Sequence, residues 1–342
     1  MLIRPSLAAL TLLLFATGAS AQNDRVRTFT STIAGEVTET SPMAVTVRRG
    51  STDVQAPVNE IRSVVFGDEP SALTQARVNA ENGGYAKALE KLQTIDVSSV
   101  KNELISQEVE YYKAMCAARL ALLGEGSVQD SGRALAGFLS QNRNSYHYLE
   151  GTELLGDLLA AAGAYDKAEA YYDQLARTPW PAYKMRAGVL AGRALQAQEK
   201  HAEALERFEA ALAVAAEDDP TAKPQMLAAT LGKAVSMAAT GKPEEGVKLI
   251  QQVIRDADPD QKELLAAAYN ALGSAYLAAG QEKDAFYAFL HVEELLKTVA
   301  PARAEALYHL GSLWEVVGKP NEARQARQTL KQQYGNTVWA KK

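Results

Sequence analysis

At 342 residues the chain exceeds what one ordinary compact core organises, so it reads as two unequal domains or an extended array. Hydrophobic residues supply 47% of it and aromatics only 7%, with alanine abundant, a bias suited to helices that pack closely through small side chains. A formal charge of −5 excludes the broad positive field that nucleic acid or an anionic membrane surface would require.

The N-terminus carries Arg4, an apolar run from Leu7 to Ala16, then Gly18 and the small triplet Ala19-Ser20-Ala21. This is the pattern of a secretory signal peptide, residues 1–21, cleaved after Ala21. The run is too short for the roughly 20 apolar residues that cross a bilayer. No cysteine near the cleavage site offers a lipid anchor, and no twin-arginine pair precedes the run. Cleavage removes Arg4 alone, leaving 35 of 36 basic residues against 41 acidic ones and a charge of −6. The expectation is a bacterial protein, periplasmic or secreted, without membrane insertion after cleavage.

Residues 25–67 hold the β-branched alternation of the chain, as in Val26, Thr28 and Thr30, then Val45, Thr46 and Val47, then Val64, Val65 and Phe66. Breaks at Gly35, Ser41-Pro42, Arg49-Gly50-Ser51 and Pro57 divide it into predicted strands over 26–33, 35–39, 43–48 and 60–66, with a weak one at 52–56. So short a segment makes a small core, so the module leans on the first helices or closes as an SH3-like or Sm-like barrel.

Residues 70–334 read as helix after helix, with 335–342 as a C-terminal tail. A turn followed by a helix-opening phrase recurs at Gly83-Gly84-Tyr85-Ala86-Lys87-Ala88, Gly163-Ala164-Tyr165-Asp166-Lys167-Ala168, Glu199-Lys200-His201-Ala202-Glu203-Ala204, Gly241-Lys242-Pro243-Glu244-Glu245-Gly246, Gly280-Gln281-Glu282-Lys283-Asp284-Ala285 and Gly318-Lys319-Pro320-Asn321-Glu322-Ala323. A looser seventh copy falls on Ala134 and Phe138, and the anchors 88, 134, 168, 204, 246, 285 and 323 are then 46, 34, 36, 42, 39 and 38 residues apart. That is the period of one helical hairpin, with an insertion near Gly124–Asp130 behind the longest interval. Pro179, Pro181, Pro220, Pro224, Pro259 and Pro301 fall between hairpins, where a helix must end, and none interrupts a periodic run.

The chain here resembles the tetratricopeptide repeat family. Leu272-Gly273, Tyr276, Gly280, Ala285 and Phe289 carry the pattern most fully, followed by Leu310-Gly311, Trp314, Gly318 and Ala323; by Leu155-Gly156, Leu159, Gly163, Ala168 and Tyr172; and by Gly192, Leu195, Ala204 and Phe208. The copy at Gly246 departs from it, with Gly where Ala is usual and Ala234 where the first helix carries Gly. The resemblance implies a mainly α protein: a right-handed α-solenoid of about seven hairpins with a concave and a convex side, preceded by the small β domain.

His147, His201, His291 and His309 are scattered over different repeats at no metal-ligand spacing and read as packing or surface residues, and no nucleophile elbow, phosphate loop or metalloprotease helix occurs. Cys116 reads as a small buried residue. No enzyme activity, metal or cofactor is expected. Of the adjacent pairs Tyr111-Tyr112 and Tyr171-Tyr172, one ring each is expected in the core and one partly exposed. Trp180, between Pro179 and Pro181, is expected to plug a gap between hairpins.

In tetratricopeptide arrays first-helix residues make the inner face, which implies a mixed polar groove of Glu150, Glu153, Asp157, Arg186, Arg193, Asn270, Ser274, Tyr308 and Ser312. The expected role is an exported scaffold for a protein or peptide partner, in cell-envelope assembly or maintenance, and not for nucleic acid. The alternative is a self-associating structural envelope protein. Trp339 separates the two: a cap buries it on its own chain, whereas self-association presents it to another.

Overall fold

A computed structural model describes residues 23–214, 219, 221–335 and 337–342, so the predicted signal peptide lies outside the described residues. The described residues open with five strands: β1 (Asp24–Thr28), β2 (Thr32–Thr40), β3 (Ala44–Arg49), β4 (Thr52–Pro57) and β5 (Ile61–Val65). They form one antiparallel sheet in the order β4-β3-β2-β1-β5. Alternating valines make its inner face, with Val26, Val45, Val47 and Val64 wholly buried. Among the described residues no ladder joins β4 to β5. The sheet therefore curls without closing by hydrogen bonds, bent where the register shifts between Val37 and Glu39.

Two strand boundaries differ from expectation. The predicted strand 26–33 is two strands, because the Thr28 amide donates to the Ser31 carbonyl at 2.8 Å and its hydroxyl accepts from the Ser31 amide at 2.9 Å, closing a turn that leaves Phe29 exposed. Gly35 is not a break but lies inside β2, where an added Cβ would stand 2.3 Å from the Arg48 carbonyl oxygen on β3. The weak segment 52–56 is a full strand, paired along β3 from Thr52 to Pro57.

Among the described residues seven helical hairpins follow: α1 (Ser71–Glu81) with α2 (Tyr85–Gln93), α3 (Glu103–Leu122) with α4 (Val128–Gln141), α5 (Tyr148–Ala161) with α6 (Tyr165–Ala176), α7 (Pro181–Ala197) with α8 (His201–Leu212), α9 (Lys223–Ala239) with α10 (Pro243–Asp256), α11 (Lys262–Ala278) with α12 (Glu282–Leu295), and α13 (Ala300–Val316) with α14 (Pro320–Tyr334). A short α15 (Val338–Lys341) ends the chain. The intra-hairpin turns need a left-handed residue, supplied by Gly83, Gly163, Gly241, Gly280 and Gly318. Glu199 takes that position between α7 and α8 with φ of 61°.

Within each hairpin a small first-helix residue faces a larger second-helix one. An added Cβ on Gly156, Gly192 or Gly273 would stand 2.5, 2.7 or 2.6 Å from the ring of Tyr172, Phe208 or Phe289, each sixteen residues on. In the α9–α10 hairpin the equivalent positions hold Ala234 and Ile250, and an added Cβ on Gly246 would meet the Ala234 carbonyl oxygen at 2.4 Å. The family departure is thus a compensated swap: an aliphatic partner leaves room for a methyl on the first helix, and the second helix gives up its own. Ala76 and Leu92 in the first hairpin repeat the alanine–aliphatic choice.

The seventh anchor needs correction. Ala134 is exposed, and the equivalent residue is Ser131, buried, with its hydroxyl donating to the Ala117 carbonyl at 3.1 Å. The α3–α4 loop, Leu123–Ser127, is longer than the other intra-hairpin turns, which displaced the pattern by about one turn of helix. One continuous core runs from Val26 through Leu73, Leu92 and Ile105 to Leu158, so the sheet and the first hairpins share an interior. A hydrogen bond from the Thr40 hydroxyl to the Asn144 carbonyl, 3.0 Å, fastens them further.

Candidate binding groove

The floor of the groove is a buried charge network where the sheet meets the helices. Arg77 on α1 donates to Glu69 at 2.8 and 3.1 Å and to Glu108 on α3 at 3.2 Å. Glu108 also receives the Tyr146 hydroxyl at 2.8 Å and lies 2.8 Å from His147 Nε2. Burial opposes the charge on Glu108, but His147, Arg77 and Tyr146 more than offset it and hold the carboxyl below its ordinary value. Burial likewise opposes a charged His147, and Glu108, with Glu150, outweighs it, so the imidazole is raised. His147 stacks on Tyr111 with centroids 3.6 Å apart and is buried.

Above this floor opens a cavity of about 320 Å³. Its wall carries five tyrosines, Tyr85, Tyr111, Tyr112, Tyr146 and Tyr183, beside Met115, and its rim carries Arg62, Glu81, Arg119, Glu150, Glu153 and Arg186. Both members of the Tyr111-Tyr112 pair are buried, contrary to the expectation of one exposed ring, because the long α3 is covered on one side by α4 and on the other by His147. Tyr172 is buried and Tyr171 half-buried, as their spacing predicts. Trp180 packs edge-on against Tyr183 at 5.1 Å, ahead of α7.

The structure brings five predicted groove residues into this region. Arg186 on α7 donates to Glu153 on α5. Burial raises the Glu153 carboxyl, Asp157 adds to the rise, and Arg186 only partly offsets it, leaving a value of about 7. Asp157 is raised chiefly by burial although the Tyr172 hydroxyl donates to it at 3.0 Å. Glu150 is enclosed by the walls yet open to water; its surroundings oppose the charge, but His147, whose Nδ1 is 3.8 Å away, with Arg119 and Tyr111, holds it down at about 2. Arg193 is accessible on the same wall and held below the ordinary arginine value, first by its enclosure.

The other four divide differently. Asn270 is buried, and its amide donates to the Ala302 carbonyl at 2.9 Å and to Glu305 at 3.1 Å, so it joins α11 to α13 instead of lining open groove. Ser274 is half-buried on α11. Tyr308 is covered by Trp339, whose ring lies 5.4 Å away. Ser312 is exposed and donates to the His309 carbonyl at 3.1 Å.

Residues 189–262 match the family model of the tetratricopeptide repeat. Comparison with curated proteins gives no match. Among solved structures, a tetratricopeptide repeat protein from Parabacteroides merdae ATCC 43184 superposes with a TM-score of 0.53 at 16% identity, over 77% of this chain and 92% of that one. The complex of NprR with its cognate peptide NprX gives a TM-score of 0.48 at 16% identity, over 76% of each chain. The fold is a tetratricopeptide-like solenoid, with a small antiparallel sheet ahead of it.

Within the solenoid two offsets mark several of the polar inner-face residues. Counting from the small first-helix residue, the position six before it is Tyr111, Glu150, Arg186 or Glu305, and the position one after it is Arg77, Asp157, Arg193, Ser274 or Ser312. Applied to every hairpin, the two offsets would have added Tyr111, Arg77 and Glu305 to the groove, together with apolar positions such as Ala228, Val235 and Ala267. Glu305 is raised to about 7, first by burial, with Asn270, Arg193 and Lys342 opposing. At the C-terminal end α15 folds back on its own chain, with Trp339 5.6 Å from His309 and the Lys342 ammonium 4.4 Å from the Trp339 ring. Among the described residues no group of His, Cys, Asp and Glu is arranged to hold a metal, and no helix is long and apolar enough to cross a membrane.

Proposed function

We propose that this chain is an exported scaffold without catalytic activity that holds a protein or peptide segment along its concave face, in the assembly or maintenance of a bacterial envelope. The observation that carries the reading is the tyrosine-walled cavity between sheet and first hairpins, opening onto a row of charged residues. Tyrosine and arginine supply much of the energy at protein-recognition surfaces, and a polar rim around an aromatic centre is the usual layout. The ionisable groups there are engaged with one another, as in Arg186–Glu153 and His147–Glu108, which suits recognition better than proton transfer. The leader-like N-terminus supports export.

The position of Trp339 against Tyr308 and His309 of its own chain favours the capping role of the tail over the self-associating alternative. Affinity capture from an envelope extract tests the reading, with residues 22–342 beside a variant carrying Arg186→Glu and Arg193→Glu. A partner retained by the first and lost by the folded second is the expected outcome. A partner held equally by both would remove the groove from the account.

A further inference from the structure

The inner face of the last hairpin already carries an occupant. Tyr308 and Glu305 stand three and six residues before Gly311, as Glu153 and Glu150 stand before Gly156 on the rim of the tyrosine cavity. Trp339 of α15 lies 5.4 Å from the Tyr308 ring, and the Lys342 ammonium sits 4.4 Å from the Trp339 ring and 5.8 Å from that of Tyr308. Lys342 also acts on the Glu305 carboxyl, opposing the rise that burial imposes. Glu305 is in turn the foremost charge acting on Arg193 of α7, so the tail faces the same groove that runs on from the cavity. Its hold there is shallow. No residue of α15 is buried, Trp339 is half-buried, and among the described residues no hydrogen bond or ion pair ties 338–342 to α13.

A segment that sits on a binding face through ring and cation contacts alone can be exchanged for another of the same chemistry. We propose that residues 337–342 are a strap over this end of the empty groove, and that a partner segment carrying an aromatic ring three residues ahead of a cation takes its place. The ring goes to Tyr308 and His309, where Trp339 now lies, and the cation to Glu305. The inference rests on the reading of the concave face as a protein-binding surface. It adds a second subsite, the chemistry that subsite takes and an internal competitor for it. A cover for apolar surface would need only Trp339; Lys342, set over two rings near a carboxylate, completes a ligand.

An end-blocked, labelled peptide of residues 337–342 tests it by fluorescence anisotropy. It is offered to the chain 22–342 and to a variant of that chain, Trp339→Ala with Lys342→Ala, whose own strap is weakened. The variant is expected to bind the peptide roughly tenfold or more tighter than the unmodified chain, where the tethered strap competes at about millimolar effective concentration. Adding Tyr308→Ala to the variant, or placing glutamate at both lysines of the peptide, should each weaken binding roughly tenfold or more. Tyr287→Ala, exposed on α12, should leave it unchanged. Thermal unfolding confirms that each variant is folded, and Lys342→Glu, a single change at an exposed residue, replaces the pair if it is not. Equal binding by both chains, binding indifferent to Tyr308 or to the lysines, or no binding by the variant at millimolar concentration would overturn the inference. If no peptide binds while a captured partner is still lost on reversal of Arg186 and Arg193, the strap falls and the groove stands; if that capture is indifferent too, the groove reading falls with it.

Discussion

Glu153 shows how the groove writes pH dependence into single residues. Its carboxyl is held at about 7, where an unfolded glutamate titrates near roughly 4.3. Between those values the folded chain keeps a proton that the unfolded chain has released, so stability falls as pH rises across that window. Glu305, also at about 7, acts in the same direction. The raised His147 contributes stability that is present below the ordinary histidine value and lost as pH rises through its folded one. Glu150, held at about 2, contributes stability above the ordinary glutamate value, lost only as pH falls toward 2. The solenoid is therefore predicted to be more stable to urea at pH 5.5 than at pH 8. Glu153→Gln should remove on the order of 1–3 kcal/mol of that difference. Equal stability at the two pH values, or an unchanged difference in the variant, would contradict this balance of charges.

Hairpins live or fail by how closely their two helices approach. Gly273→Ala gains about 1 kcal/mol in helix propensity but places a methyl 2.6 Å from the Phe289 ring, and overpacking costs about 1–3 kcal/mol. The clash is predicted to win, with net destabilisation by chemical denaturation. Phe289→Leu in the same chain should recover part of it, because alanine already faces Ile250 in the α9–α10 hairpin; strict additivity of the two changes would refute the pairing. In the α7–α8 turn Glu199→Gly relieves a left-handed glutamate and is predicted to stabilise by about 0.5–1 kcal/mol, checked by the same denaturation.

These elements also show what the sequence made legible. Glycine turns and buried alanines repeat at fixed offsets, so seven hairpins and most anchors could be read directly. The α3–α4 anchor slid to Ala134 because a longer loop broke the offset and Ser131 is not apolar. The turn at Thr28–Ser31 escaped because its β-branched residues hold it through side-chain hydrogen bonds, without glycine or proline. Half of the candidate groove was legible by counting within one repeat. The network of Glu69, Arg77, Glu108 and His147 was not, since it joins residues up to 78 positions apart and exists only once α1, α3 and the residues ahead of α5 pack together.

At the scale of the whole molecule, the sheet and the first hairpins share one core, and the solenoid runs on to a tail that packs on its own last hairpin. Trp339→Ala is predicted to loosen that end, raising amide exchange in α13 and α14 while leaving α3 and α5 unchanged; uniform exchange along the chain would argue against a local cap. The central claim is that recognition happens on the concave face beside the tyrosine cavity. The most direct test places a photo-crosslinking residue at Tyr183, on the cavity wall, or at Tyr287, exposed on α12, in cells that make the full chain. A partner crosslinked from position 183 and absent from 287 is the predicted result. Crosslinks from 287 with none from 183 would place recognition on another face and contradict the account.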